Sequence, residues 1–150
     1  NRYGINSEVS KLIGDEHSKS IYISHESYPT PEDLSEMLHS TDLGIALYKP
    51  TFDGIYTGNN LKFLGLSSGK IATYLQHGIP ILTNENGLIS DYIWESEAGY
   101  IIDDLKEISE LLESINLKEC ERAGGYILFE EKLDLDQQIK PLMNKIKSIL

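Results

Sequence analysis

Short apolar runs alternate with helix-period stretches along most of this chain, and that alternation constrains the fold more than any other feature. LGIALY (Leu43–Tyr48) is a continuous apolar run of the kind expected in a parallel strand covered on both faces. IPILTN and GYIID (Gly99–Asp103) follow as further strands, with GKIATYLQHG, GLISDYIWES and LKEISELLESI as helices around them. Strands separated by short helices imply βαβ units, so the sequence predicts an α/β fold with a parallel sheet.

Local sequence signals predict where several further strands and helices begin or end. SIYIS (Ser20–Ser24) has strand character. Thr30 is suited to N-cap the following helix, and Pro31 suits its first position. Gly78, the last residue of GKIATYLQHG, is expected to close that helix in a left-handed conformation. The tail from about Leu117 to Leu150 is predicted to form two further helices.

Length and charge restrict the class of protein. The chain has 150 residues, of which 40% are hydrophobic and 25% charged, which fits one domain spanning residues 1–150. A net charge of −11 argues against sequence-independent binding to nucleic acid, which needs clustered Lys and Arg. Cys120 is the only cysteine, so no disulfide framework is expected. No apolar run approaches the ~18 residues of a membrane span, and a cytoplasmic protein is the simplest expectation.

One connection is too long to be an ordinary turn. About 18 residues, from Lys49 to Leu66, join the strand ending at Tyr48 to the next helix. Connections of this type usually have about 2–6 residues, and longer ones are often functional. Phe52, Tyr56 and Phe63 make the segment too aromatic for a disordered linker. Because it follows the carboxyl end of a parallel strand, we interpret it as a ligand-binding loop, with a structural cover as the alternative.

The stretch GLSSGK (Gly65–Lys70) is similar to a phosphate-binding P-loop but does not fit that motif. A P-loop has four residues between its two glycines and a Ser or Thr after its lysine. Here three residues separate Gly65 from Gly69, and Ile71 follows Lys70. A GxGxxG dinucleotide motif is also missing from the sequence. Both motif interpretations therefore fail.

The physical chemistry of this stretch still favours an anion. Ser67 or Ser68 is a suitable N-cap, and the free N–H groups of a helix's first turn attract anions. Lys70 falls in that turn, where a cation is disfavoured by about 0.3–1 kcal/mol. A bound anion would reverse that penalty, whereas a solvated Lys70 whose stem packs on the helix is the alternative.

Longer segments carry a family resemblance. SSGKIATYLQHGIPILTNENGLISDYI and AGYIIDD resemble the C-terminal domain of GT-B glycosyltransferases, group 1 / family 4-like, with a PSKxxEYLxxGxPV signature. Upstream, IYISHESYPTPEDLSEMLHSTDLGIALY matches the family pattern, including Asp42 before the second strand. FEEKLDLDQQIKPLMNKIKSIL looks like its closing helices. The resemblance implies a Rossmann-like three-layer domain with a parallel sheet, the C-terminal half of a GT-B fold.

The resemblance also implies binding of a nucleotide-sugar donor. Ser67, Ser68, Gly69 and Lys70 match the helix start that faces the donor's diphosphate. Thr73 falls at the second Glu of the family's E-x7-E motif and Gly65 at the first, so that acidic pair is absent. Thr73 remains a candidate hydrogen-bond donor to a ribose hydroxyl. His25 and Tyr28 match the loop that meets the nucleotide base, on which Tyr28 would stack.

The implied enzyme is larger than this chain. The sequence begins NRYGINSEV, without an initiator Met, and is interpreted as a fragment of a longer glycosyltransferase. Its partners would be the N-terminal acceptor domain of the same protein, the nucleotide-sugar donor and a glycan or glycoconjugate acceptor. Membrane association is expected to be at most peripheral, no metal or cofactor is expected, and the chain alone should be inactive. A nucleotide-sugar epimerase of GT-B-like fold and a non-catalytic module with a decayed nucleotide site are the alternatives.

Overall fold

The computed structural model of the chain describes residues 30–55, 58, 63, 65–115 and 122–149. The chain divides into two compact units, Asn1–Glu36 and Met37–Leu150. Residues 30–36 are the described part of the first unit, and the whole described sheet belongs to the second. The predicted strand at Ser20–Ser24 lies outside the described residues, and the assignment of one domain stays a prediction.

The first helix, α1, spans Pro31–His39 and begins where the sequence predicts. The Thr30 hydroxyl oxygen accepts a hydrogen bond from the Asp33 N–H at 3.2 Å. In return, the Thr30 N–H donates to the Asp33 carboxylate at 3.1 Å. This reciprocal pair satisfies two N–H groups at the start of the helix, as in a capping box. The expected N-cap at Thr30 is therefore confirmed.

Three described strands form a parallel sheet: β1 (Gly44–Ala46), β2 (Ile81–Asn84) and β3 (Gly99–Ile102). Their order is β1-β2-β3, so β2 has a neighbour on each side. Gly44 lies opposite Ile81 in the first pair, and Asn84 lies opposite Ile102 in the second. The chain thus has the predicted α/β fold with a Rossmann-like parallel sheet.

Strand β1 differs from its prediction. It covers three residues rather than the run from Leu43 to Tyr48, and only one of its faces is buried. Gly44 and Ala46 are buried, whereas the Ile45 side chain is 50% exposed. Successive side chains of a strand point to opposite faces, so Gly44 and Ala46 share the buried face and Ile45 lies on the exposed one. A continuous apolar run was not sufficient evidence for burial on both faces.

The three predicted helices after β1 are present. They are α2 (Gly69–Gln76), α3 (Leu88–Glu95) and α4 (Glu107–Ser114). The first two contribute half of the buried core cluster, because their apolar side chains pack on the sheet. The buried cluster consists of Ala46, Ile71, Leu75, Ile81, Ile89, Ile93, Ala98 and Leu128.

Helix α2 ends as its sequence predicts. Gly78 has a positive φ of 64°. The Gly78 N–H donates to the Leu75 carbonyl and the Ile79 N–H to the Tyr74 carbonyl, each at 2.9 Å. These two bonds form a Schellman motif, which satisfies carbonyl groups of the last turn. The turn leads directly through Pro80 into β2.

The tail forms more and shorter helical segments than the two helices predicted from the sequence. α5 (Arg122–Leu128) continues into a π-helical turn, Phe129–Leu133. After Asp134 come the short α6 (Leu135–Gln138) and then α7 (Lys140–Lys147). The Asp134 carboxylate accepts the Asp136 N–H at 2.9 Å and so caps α6. Among the described residues, no helix has both the length and the apolar character needed to cross a membrane.

Candidate functional site

The carboxyl ends of β1 and β2 are joined by an asparagine side chain. The Asn84 carboxamide oxygen accepts the Tyr48 N–H at 2.7 Å. The carboxamide nitrogen of the same side chain donates to the Tyr48 carbonyl at 2.9 Å. Asn84 ends β2, and Tyr48 lies two residues beyond β1. This is the edge at which open parallel sheets bind their ligands.

The start of α2 is attached to the same edge. Ser68 is the N-cap residue, and its hydroxyl oxygen accepts the Ile71 N–H at 3.2 Å. The Tyr48 phenol forms a hydrogen bond with that hydroxyl group. Of the two serines proposed as N-cap, Ser68 therefore has the role. The first turn of α2 opens beside the ends of β1 and β2.

Two backbone donors at this helix start are unused. The N–H groups of Gly69 and Lys70 have no acceptor in the described part of the chain. Such groups at the first positions of a helix are not satisfied within the helix itself. A Cβ added at Gly69 would meet no atom of the described residues within 4 Å. The described part of the chain therefore leaves this side of the helix start uncovered.

Lys70 lies in the same first turn, and its side chain is exposed. In residues 30–55, 58, 63, 65–115 and 122–149, one ion pair is present, between Lys106 and Asp104. No described carboxylate therefore neutralises Lys70. With the helix dipole, the two N–H groups and this ammonium group give the first turn of α2 a positive character in a chain of net charge −11.

The structure gives less detail for the remaining predicted site residues. Ser67 is exposed and ends a short 3₁₀ turn, Gly65–Ser67. Thr73 is half-buried in α2, one turn beyond Lys70 and therefore on a neighbouring part of the helix surface. The structure thus brings Ser67, Ser68, Gly69 and Lys70 together at the helix start. His25 and Tyr28 lie outside the described residues.

The position of Gly65 explains why the acidic pair of the E-x7-E motif does not fit here. Gly65 is buried, and a side chain at this position would collide with Ile89. Replacing Gly65 by Glu would therefore displace the 3₁₀ turn from α3 rather than restore a ligand contact.

The long connection after β1 exposes its apolar side chains where it is described. Phe52 and Ile55 are 68% and 85% exposed, and Phe63 is 63% exposed. The Phe52 ring lies against Gly58, whose φ is 78°. Much of the connection lies outside the described residues, so the ligand-binding loop and the structural cover both stay predictions. Tyr56 lies outside the described residues.

The loop after β2 contains a buried acceptor without a partner. Asn86 is 1% exposed, and its carboxamide nitrogen donates to the Thr83 hydroxyl at 2.8 Å and to the Asn84 carbonyl at 2.7 Å. These two bonds fix the orientation of the amide. Its Oδ1 atom then has no hydrogen-bond partner in the part of the chain that the structure describes. A buried polar atom of this kind is uncommon in folded proteins.

Tyr48, Asn84 and Asn86 were not selected from the sequence. Tyr48 is 20 residues from Ser68 and 36 residues from Asn84, and no local motif connects them. A usable signal was nevertheless present, since each residue comes at or just after the end of a predicted parallel strand. Polar and aromatic residues at those positions share one edge of the sheet.

A comparison with protein-family models supplies the family. The model of the glucosyltransferase 3-like C-terminal domain matches residues 5–125 of the 150-residue chain. The chain belongs to this glucosyltransferase 3-like family. Comparisons with curated proteins and with solved structures gave no significant match.

The extent of the match agrees with the placement of the site. It includes the whole described sheet, α2 and every predicted site residue from His25 to Thr73. It ends at residue 125, within α5, so the last helices lie beyond it. The described sheet and the start of α2 therefore lie within the glucosyltransferase 3-like domain. The predicted relationship to a glycosyltransferase C-terminal domain is confirmed at this level.

Proposed function

We propose that this glucosyltransferase 3-like domain binds the nucleotide-diphospho-sugar donor of a glycosyltransferase. The full-length enzyme would have the GT-B fold, group 1 / family 4-like, and would transfer the sugar to a glycan or glycoconjugate acceptor. An N-terminal domain of the same protein would hold the acceptor. The proposed setting is cytoplasmic polysaccharide or glycoconjugate synthesis.

One observation carries the proposal: the first turn of α2 presents two unpaired N–H groups and Lys70 at the carboxyl edge of a parallel sheet. Diphosphate oxygens are acceptors for such N–H groups, and their charge is favoured by the helix dipole. Lys70 is otherwise at the unfavourable end of that dipole. The proposed anion would thus offset the unfavourable interaction of Lys70 with the helix dipole.

The nucleoside part of the donor would lie on the carboxyl side of the sheet. Tyr28 and His25 are proposed to contact the base, and Thr73 to contact the ribose. Ser67 and Ser68 would contact the diphosphate together with Gly69 and Lys70. We propose that these groups meet the charge of the diphosphate without a metal ion. A chelator should then leave nucleotide affinity unchanged.

The test is a calorimetric titration of the 150-residue chain with UDP, GDP and ADP, each compared with its nucleoside. Binding of one diphosphate with a micromolar to millimolar Kd, and far weaker binding of the nucleoside, is expected. Absence of binding by all three diphosphates would contradict the proposal and favour a non-catalytic module. A parallel turnover assay should detect no sugar transfer by this chain alone, because the acceptor is proposed to bind an N-terminal domain of the full-length enzyme.

A further inference from the structure

The Asn84 side chain holds one residue through both of its backbone polar groups. Its oxygen accepts the Tyr48 N–H at 2.7 Å, and its nitrogen donates to the Tyr48 carbonyl at 2.9 Å. Reversing the amide would place donor against donor and acceptor against acceptor, so only one orientation satisfies the pair. Asn84 therefore fixes the backbone of Tyr48 across 36 residues of sequence.

Tyr48 in turn contacts the start of α2. Its ring packs against the core cluster, and its hydroxyl group is hydrogen-bonded to the Ser68 hydroxyl. The Ser68 oxygen also accepts the Ile71 N–H at 3.2 Å. The ring, the hydroxyl and the backbone of Tyr48 are all held, which leaves the phenol oxygen in one place beside the first turn.

The hydroxyl pair has one hydrogen more than its hydrogen bonds use. Tyr48 and Ser68 each carry one O–H hydrogen, and the bond between the two hydroxyls consumes one of them. The Ile71 contact uses a lone pair of Ser68 and no hydroxyl hydrogen. One O–H donor is therefore left without an acceptor among the described residues. It lies next to the unused N–H groups of Gly69 and Lys70.

We infer that this remaining O–H donates to an anionic oxygen of the ligand, and that Asn84 is the positioning residue that holds Tyr48 for this contact. The inference rests on the proposed function, since the oxygen is taken to belong to the diphosphate. Tyr48 thereby joins the ligand-contacting residues, and Asn84 acts only through it.

Asn86 lies beneath the turn that leads into α2. Its Cβ is 3.6 Å from the position that a Cβ would occupy at Gly65, and the Gly65 carbonyl accepts the Ser68 N–H at 3.2 Å. Asn86 also donates to the Asn84 carbonyl. The Asn86 side chain thus packs beside the turn that ends at the N-cap and contacts the backbone of Asn84.

A double-mutant cycle tests the inference, with UDP as the probe and the 150-residue chain as the protein. Tyr48→Phe keeps the ring and removes one hydroxyl, and should weaken UDP binding about tenfold, as expected for a lost hydrogen bond to a charged group. Asn84→Ala should weaken binding several-fold when Tyr48 is present. In the Tyr48→Phe background, Asn84→Ala should have little further effect on UDP binding, because Asn84 acts through the phenol that this variant lacks.

The coupling distinguishes positioning from a general structural role. If Asn84 has only a structural role, Asn84→Ala should weaken UDP binding equally in both backgrounds. That result would overturn its assignment as a positioning residue. Tyr126→Phe is the matched control, because this tyrosine lies against Gly78 at the other end of α2 and should leave the affinity unchanged. Thermal unfolding of each variant shows whether it is folded.

Failure of the inference can be separated from failure of the proposed function. If the unmodified chain binds UDP and Tyr48→Phe binds it equally well, the hydroxyl contact is wrong while the proposed function stands. If the unmodified chain binds none of UDP, GDP and ADP, the proposed function fails and the inference fails with it.

Discussion

The Thr83 hydroxyl donates a hydrogen bond of 2.7 Å to the carbonyl oxygen of Ala46. Thr83 lies in β2 and Ala46 in β1, so a side chain reinforces the backbone pairing of the two strands. The same hydroxyl accepts a hydrogen bond from the Asn86 carboxamide at 2.8 Å. All three residues are buried. This contact joins the sheet to the loop beside the candidate site.

Thr83→Val should lower the free energy of unfolding by about 1–3 kcal/mol. Valine has nearly the same shape, but it leaves the Asn86 nitrogen with one acceptor fewer in a buried setting. Urea unfolding of the two proteins measures the difference. Thr51→Val, at an exposed position, should change stability by less than about 0.5 kcal/mol. Equal losses for the two variants would show that the buried network does not stabilise the fold.

Gly78→Ala should destabilise the chain by roughly 1–3 kcal/mol. Alanine is strained at the positive φ of this residue, and its methyl group would collide with the Tyr126 ring. Thermal unfolding provides the measurement. An unchanged melting temperature would mean that the Schellman turn after α2 is not held in this conformation.

Gly69→Ala should have the opposite effect on stability. Its added methyl group meets no neighbouring atom, and alanine reduces the entropy of the unfolded chain, so a gain of about 0.4–1 kcal/mol is expected. UDP binding should nevertheless weaken, because the methyl group narrows the approach to the N–H groups of the first turn. A more stable variant with unchanged UDP affinity would show that no ligand approaches the backbone there.

The sequence predicted features that depend on local signals. Thr30, Ser68 and Gly78 occupy the helix ends expected of them because capping is decided within a few residues. The burial of β1 was predicted less well, since the exposure of Ile45 depends on what packs against each face of the sheet. The composition of a single run does not contain that information.

The arrangement of the site depended on contacts between distant parts of the chain. Ser68 and Lys70 were identified because an N-cap and a first-turn lysine have local meaning. Tyr48 and Asn84 were not identified, because their hydrogen bonds join residues 20 and 36 positions apart. Only the pairing of β1 with β2 brings them together. The contacts expected of His25 and Tyr28 stay predictions.

The central claim is that the first turn of α2 binds the diphosphate of a nucleotide donor through Lys70. Removing this exposed ammonium group, which has no described ion-pair partner, should act on binding with little effect on folding. Lys145→Ala, on α7, provides the matched control, since it removes the same charge from an exposed helix in the tail.

The most direct measurement is therefore the Kd for UDP of the unmodified chain, Lys70→Ala and Lys145→Ala, at low and at high salt. We predict that Lys70→Ala weakens binding roughly tenfold and reduces its salt dependence, whereas Lys145→Ala changes the Kd less than about twofold. Equal affinity of the unmodified chain and Lys70→Ala for UDP at both salt concentrations would contradict the account.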